Sequence, residues 1–405
     1  MRILYLSRNY PNPAFPLIGL WVEGLVRAMS EVAEVRVVAP VPYCPPLPAR
    51  FSQTRFRSIP RRRRETGIEV ISPRFVIGPG YSTHSLEADS YYFAVRKTID
   101  RLRREFVFDV IHAQFGYPDG VAGARLARRY GVPLLITEHA PWIPWMNEYP
   151  RVRRQAVWAA GICEYQIAVS ERVRGTISAI TGDSQRLRVL PVGVDSGLFR
   201  PDPEDGHYDH NRIIYVGRIH KKKGTDVLFD ALRLLAERNP DIRLTVVGGS
   251  LGYGHYRKQE QELRSYAESL GVTPRIDFVG EQTPAMVAHY VRQAAVLVLP
   301  SRSESFGAVL LEALATGVPV VATRCGGPED FITDAVGRLV PAGDPAALAE
   351  GVEQVLKNRS RFRPEALRSY ATEKYSWQAV AARTYQLYEQ ALARRAAEPH
   401  VAVSP

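Results

Sequence analysis

Ile213-Ile214-Tyr215-Val216-Gly217-Arg218-Ile219-His220-Lys221-Lys222-Lys223-Gly224-Thr225 is the stretch whose reading decides the fold. Four apolar residues end at a glycine, a basic loop follows, and a helical pattern runs from Gly224 to Arg238. A short apolar run without alternation reads as a buried strand, and a strand followed by an amphipathic helix is half of a βαβ unit. The same unit recurs outward in both directions. Downstream, Leu244–Val247, Ile276–Val279, Val296–Leu299 and Val318–Ala322 are strand-like, and Tyr256–Leu270 has a helical pattern. Upstream, Ile3–Leu6, Val35–Ala39, Val110–His112, Leu134–Thr137 and Ile167–Val169 read the same way. Such alternation predicts parallel sheets wound in right-handed crossovers, hence an α/β protein. The polar, Pro- and Asp-rich stretch from Pro201 to Asn211 separates the two series. It sets expected domains at 1–200 and 201–375, with an amphipathic final helix over 376–395.

In an open parallel sheet the ligand crevice lies outside the carboxyl ends of the strands. Arg218 and Lys223 stand there, and an Arg fork beside a Lys point charge suits a diphosphate. The loop is no Walker P-loop, because the GxxxxGK[ST] order is missing. A second segment, Pro300-Ser301-Arg302-Ser303-Glu304-Ser305-Phe306-Gly307-Ala308, follows the strand Val296–Leu299 and opens a helix. Free N–H groups at a helix start receive phosphate oxygens. Glu312 sits among Leu310, Leu311, Ala313 and Leu314, where a carboxylate is costly unless it has a partner.

The chain has 405 residues and a net charge of +11. Residues 1–200 hold 28 basic and 17 acidic side chains, and the remainder balances at 25 of each, so the N-terminal half carries the whole excess. That points to an anionic partner for this half. Cys44, Cys163 and Cys325 are far apart and form no CxxC, which argues against a disulfide framework or zinc site and fits a reducing compartment. No run approaches ~18 apolar residues, so no transmembrane helix is expected.

Together the motifs resemble retaining glycosyltransferase family 4, of the GT-B fold, and particularly bacterial transferases of cell-surface polysaccharide. Gly217-Arg218 with Lys223-Gly224 is similar to the family's GR-x4-KG. Glu304-x-Phe306-Gly307 with Glu312 is similar to its E-x-FG-x4-E, followed by Gly317-Val318-Pro319-Val320-Val321-Ala322. Pro191-Val192-Gly193-Val194-Asp195 resembles the family's interdomain PNGVD, with Val192 where Asn is usual. The resemblance is strongest over 213–345 and weaker before 130.

The resemblance implies two Rossmann-like domains facing a central cleft, with the last helix crossing back to the N-domain. It assigns Arg218 and Lys223 to the donor diphosphate, Glu304 and His139 to the transferred sugar, and Glu312 to the ribose. Phe306, Gly307 and Ala308 would present backbone amides, Gly217 and Gly280 would line the nucleotide, and Gly19 would face the diphosphate. It implies a nucleotide-diphosphate sugar as donor, UDP-sugar favoured over GDP-sugar, and a glycan or lipid-linked acceptor. No D-x-D triad occurs, so the expectation is no metal and no cofactor, with cationic side chains stabilising the leaving group. Arg50, Arg55, Arg57 and Arg61–Arg64 on a Pro-rich loop, with Arg101, Arg103 and Arg104, suggest an anionic membrane surface as partner. Phe51, Phe56 and Ile59 would insert shallowly. The expected location is cytoplasmic, peripheral on the cytoplasmic face. Two rival readings are another GT-B protein such as a sugar-nucleotide epimerase, and a basic nucleic-acid-binding protein. No helix-turn-helix, zinc-finger, RRM or KH signature supports nucleic acid as a partner.

Overall fold

The computed structural model describes residues 1–45, 52–78, 84–141, 146, 148–201, 208–250 and 254–397. The chain divides into two units, Met1–Pro191 with Val380–Pro405, and Val192–Ala379. Residues 192–200 therefore go with the second unit, although the composition break after Arg200 placed them in the first.

The first unit is built on an eight-stranded sheet. Its strands are β1 (Arg2–Leu6), β2 (Glu34–Val38), β4 (Arg62–Glu65), β5 (Ile68–Ile71), β7 (Val110–Gln114), β8 (Leu134–Glu138), β9 (Tyr165–Ala168) and β10 (Leu187–Val189). A separate small ribbon pairs β3 (Val41–Pro42) with β6 (Arg74–Phe75). The order is β10-β9-β8-β7-β1-β2-β5-β4, and every pairing is parallel except β4 with β5. β7 and β8 are buried at every residue, as strands covered by helices on both faces must be. The covering helices are α1 (Leu20–Ser30), α2 (His84–Leu102), α3 (Val121–Tyr130), α4 (Pro150–Ile162) and α5 (Glu171–Thr181).

The Pro-rich segment departs from expectation. Ser52–Ser58 forms a short 3-10 helix, and Arg62–Glu65 is an edge strand rather than part of a loop. Ile59 is 2% exposed and belongs to the packing rather than to an exposed anchor, and the half-buried Phe56 lies against Phe15, ring centroids 5.2 Å apart. Arg103 is likewise spent inside the unit, its guanidinium over the rings of Phe108 and Tyr130. Arg50 and Phe51 lie outside the described residues.

The second unit carries a six-stranded, wholly parallel sheet of order β13-β12-β11-β14-β15-β16. Its strands are β11 (Asp209–Val216), β12 (Arg243–Val247), β13 (Ile276–Gly280), β14 (Ala294–Leu299), β15 (Val320–Arg324) and β16 (Gly337–Pro341). The helices are α6 (Thr225–Arg238), α7 (Gly254–Ser269), α8 (Pro284–Arg292), α9 (Ala308–Ala315), α10 (Pro345–Lys357) and α11 (Pro364–Tyr375). The last helix, α12 (Trp377–Ala397), starts in this unit, and from Val380 on it belongs to the first. There Tyr388 is fully buried, 2.8 Å from the Tyr5 hydroxyl and 2.6 Å from His112 Nδ1.

Strand order reverses between β1 and β7 in the first unit and between β11 and β14 in the second. These are the topological switch points, outside whose carboxyl ends doubly wound sheets bind ligands.

Candidate active site

In the second unit, the loops leaving β11 and β14 at the switch point dock on each other. The Arg302 N–H donates to Lys222 O at 2.9 Å, and its guanidinium forks onto both Asp226 oxygens at 2.7 and 2.8 Å. Lys221–Lys223 form one 3-10 turn that Gly224 ends in a left-handed conformation, φ 69°. A Cβ at Gly224 would lie 1.9 Å from Pro300 O, so only glycine lets the loops meet. Docking brings Lys223 Nζ to 2.6 Å from Glu304 Oε1. The same oxygen accepts from the buried Ser301 hydroxyl at 2.6 Å. Lys223 keeps further N–H bonds for another acceptor, and Glu304 keeps Oε2 for further donors.

Arg218 is fixed at both ends. Its carbonyl accepts from the Tyr215 hydroxyl at 2.6 Å, and its guanidinium lies 4.7 Å from the Tyr256 ring centroid. No carboxylate among the described residues pairs with it, so its fork stays open to an anion. The neighbouring strand ends are tied in sequence. The Gly217 N–H donates to Val247 O and the Gly248 N–H to Gly280 O, which sets the backbone of Gly217 and Gly280 at the rim.

Glu304, Phe306, Gly307 and Ala308 lead into α9. Phe306 is buried against Phe331, ring centroids 4.9 Å apart, and Gly307 is the N-cap. The first N–H groups of the helix have no intrahelical acceptor. Glu312, two-thirds along α9, is half-buried and has no side-chain partner among the described residues. Burial pushes its carboxyl up to about 7, which is what an unpaired acid in an apolar helix must do.

The first unit carries the other two positions. Gly19 is the left-handed N-cap of α1, φ 83°, and a Cβ there would lie 2.2 Å from Asn9 O. The close approach explains the glycine. His139 follows β8, the strand next to β7, at the carboxyl end of the sheet. Its Nε2 lies 2.7 Å from Gln114 Oε1, and its ring centroid is 5.9 Å from that of Trp21 and 5.2 Å from that of Phe115. Burial depresses the imidazole to about 3, so it is neutral at physiological pH.

Sequence reasoning missed Ser301, Arg302, Asp226, Gln114 and Trp21. The first two sit inside a quoted motif and were readable as polar residues at a strand end. Gln114 and Trp21 meet His139 only through the fold and carry no local signal.

Comparison with known proteins divides the chain near residue 200. Residues 19–198 match the family model described as Glycosyltransferase Family 4, and residues 203–374 match that described as Glycosyl transferases group 1. The D-inositol 3-phosphate glycosyltransferase of Frankia alni is 33% identical over 344 residues, covering 78% of this chain and 83% of that protein. The protein of that name from Segniliparus rotundus is 35% identical over 316 residues, covering 73% and 69%. Among solved structures, sucrose-phosphate synthase from Thermosynechococcus elongatus aligns with a TM-score of 0.77 at 21% identity, covering 97% of this chain and all of that one. Anabaena HepE, solved in complex with UDP-glucose, aligns with a TM-score of 0.72 at 19% identity, covering 96% of this chain.

Proposed function

This chain belongs to glycosyltransferase family 4, with the GT-B fold, and from that premise we propose that it moves a sugar from a UDP-sugar to an anionic acceptor with retention of configuration. The observation that carries the reading is the docked pair of loops in the second unit. It brings Lys223 onto Glu304 at the switch point, where Arg218 lies on the same loop as Lys223 and the unpartnered Glu312 on the helix that follows Glu304. UDP is the nucleotide we propose, supported by the UDP and UDP-glucose complexes of the Anabaena neighbour.

In this proposal Arg218, Lys223 and the start of α9 receive the diphosphate. Glu304 accepts hydrogen bonds from hydroxyls of the transferred sugar, and Glu312 from the ribose. The anomeric C–O bond breaks, its electron pair passing to the diphosphate, where the cations stabilise the charge as it develops. The acceptor oxygen bonds to the anomeric carbon on the same face, and its proton passes to a leaving phosphate oxygen. These side chains take the part a metal ion plays in D-x-D transferases, and the proposed reaction uses no metal.

Two acceptor classes suit the charge excess in residues 1–200. One is a lipid-linked glycan diphosphate in cell-surface polysaccharide assembly. The other, favoured by the names of the relatives, is a phosphorylated polyol such as inositol 3-phosphate. For the lipid-linked case we propose peripheral binding to an anionic bilayer on the cytoplasmic side. The exposed Arg61, Arg62 and Arg101 line a cavity of about 360 Å³ that would face the bilayer. No helix among the described residues is long and apolar enough to cross a membrane.

Thermal-shift titration tests the donor. UDP and its sugars should raise Tm, and at about 100 times Kd the gain is ~2.7 kcal/mol. A response to GDP or ADP in place of UDP overturns the choice of nucleotide. No response to any nucleotide overturns the function.

A further inference from the structure

We propose that Arg302 is a positioning residue for Lys223: from the loop after β14 it clamps the turn that carries the lysine and so aims the ammonium. The inference rests on the reading of the chain as a sugar transferase and adds to that reading the device that fixes its cation.

Lys223 ends a 3-10 turn only three residues long, Lys221–Lys223. Two backbone bonds close the turn, from the Lys223 N–H to His220 O at 2.8 Å and from the Gly224 N–H to Lys221 O at 3.0 Å. His220 caps it, its Nδ1 accepting from the Lys222 N–H at 2.9 Å. So short a turn is marginal by itself, because its few bonds barely offset the entropy of ordering the residues. Arg302 holds it from outside. The Arg302 N–H donates to Lys222 O at 2.9 Å, and Nη1 donates to Lys221 O at 2.5 Å. The same guanidinium forks onto both oxygens of Asp226, in the first turn of α6 directly after Gly224. One planar side chain thus ties the turn to the helix beyond it, which a lysine could not do with the same geometry. The Arg302 side chain is 40% exposed, and an ion pair so placed adds little to overall stability, so its effect is local.

The two members of the Lys223–Glu304 pair are anchored differently. Glu304 is held by the residues after β15. Its N–H donates to Cys325 O and its carbonyl accepts from the Gly327 N–H, both at 3.2 Å, while Oε1 accepts from the Ser301 hydroxyl. Removing the Arg302 side chain leaves all of these in place. Lys223 instead stands between the carbonyls that Arg302 holds and Gly224, where a Cβ would strike Pro300 O. Without the guanidinium the turn is released on one side, and the ammonium can swing on its flexible stem. The backbone bond from position 302 to Lys222 O survives such a substitution, so the loops stay docked.

The test combines a mutant cycle with chemical labelling. Arg302→Leu should lower kcat for the UDP-sugar about ten- to a hundredfold, the order of loss for a displacement of about 1 Å, with KM changed by less than about threefold. In a Lys223→Ala background the same substitution should cost less than about twofold, because the group it positions is gone. Arg302→Lys, a point charge without the fork, should recover only part of the loss. In the absence of substrate, limited acylation read by mass spectrometry should label Lys223 more slowly than the exposed Lys221 and Lys222 in the wild type, and at a rate near theirs in Arg302→Leu. Unchanged kcat in Arg302→Leu, full additivity of its loss with that of Lys223→Ala, or an unchanged rate of Lys223 labelling overturns the proposal. If that variant does not fold, Asp226→Asn, which removes the charge that the fork grips, carries the same cycle and labelling. A wild type that turns over no UDP-sugar overturns the function instead, and the labelling then decides the positioning by itself.

Discussion

In the proposed mechanism the Lys223–Glu304 ion pair serves two tasks at the residue scale. Each is partly buried, with side chains 23% and 10% exposed, and each satisfies the other while keeping hydrogen-bonding capacity to spare. Lys223→Ala should lower kcat by on the order of 10²–10³, the usual cost of removing one major stabiliser of a developing anion. Steady-state turnover of UDP-sugar checks this, and unchanged kcat removes Lys223 from the mechanism. Glu312 carries a pH signature. Its carboxyl sits near 7 in the folded chain, above its ordinary value of 4.5, so between those values the folded form holds a proton that the unfolded form has lost. Its contribution to stability is therefore present at low pH and lost as pH rises to about 7. Donor binding at the proposed ribose site should run the opposite way, because ribose hydroxyls donate best to the ionised acid. Kd for UDP-glucose should weaken by up to about tenfold per pH unit below 7, and Glu312→Gln should flatten that slope. Titration calorimetry at pH 6 and 8 compares the two. These side chains were legible in the sequence because strand, loop and helix start are contiguous there. The Gln114–His139–Trp21 cluster was not, because three separate elements supply it.

At the scale of elements, β4 teaches why a strand can be misread. Arg62-Arg63-Arg64-Glu65 has no apolar alternation, so its composition suggests a solvated loop. The alternation exists in burial instead. Arg62 and Arg64 are exposed, while Arg63 turns inward to Glu65, the Ser72 hydroxyl and the Pro11 carbonyl at 2.7, 2.9 and 2.6 Å. A long side chain buries its stem and delivers its charge to internal partners. The edge position and the exposed arginines also discourage pairing with other chains. This divides the four arginines into one that holds the fold and three that face outward. A variant with Arg61, Arg62 and Arg64 changed to Ser should keep its Tm and sediment less with anionic vesicles, each charge contributing ~1 kcal/mol near such a surface. Changing Arg63 alone should lower Tm. Equal binding of wild type to neutral and anionic vesicles removes the membrane proposal and leaves the transferase proposal intact.

At the scale of the whole molecule, two doubly wound sheets each reverse their strand order once, and the loops proposed to bind the diphosphate lie at the reversal of the second. The alternation of apolar runs and amphipathic helices made this architecture readable, since βαβ winding leaves few topologies. The final helix was readable as amphipathic, but the burial of Tyr388 against Tyr5 and His112 depends on contacts 383 and 276 residues apart in the chain. The charge asymmetry between halves was likewise visible, whereas the identity of the acceptor rests on surfaces with no contiguous motif. The proposed catalysis by fixed cations carries its own prediction. Activity should survive excess EDTA, and complete loss restored by Mn²⁺ or Mg²⁺ would contradict that mechanism.

The central claim, retaining transfer from a UDP-sugar, is tested most directly by following donor breakdown with 1H NMR. The enzyme is given each of a panel of α-linked UDP-sugars without acceptor, and the first-formed free sugar is read before mutarotation. UDP should be released from one member of the panel, with the α-anomer appearing first. The β-anomer appearing first, or no UDP released from any member, would contradict it.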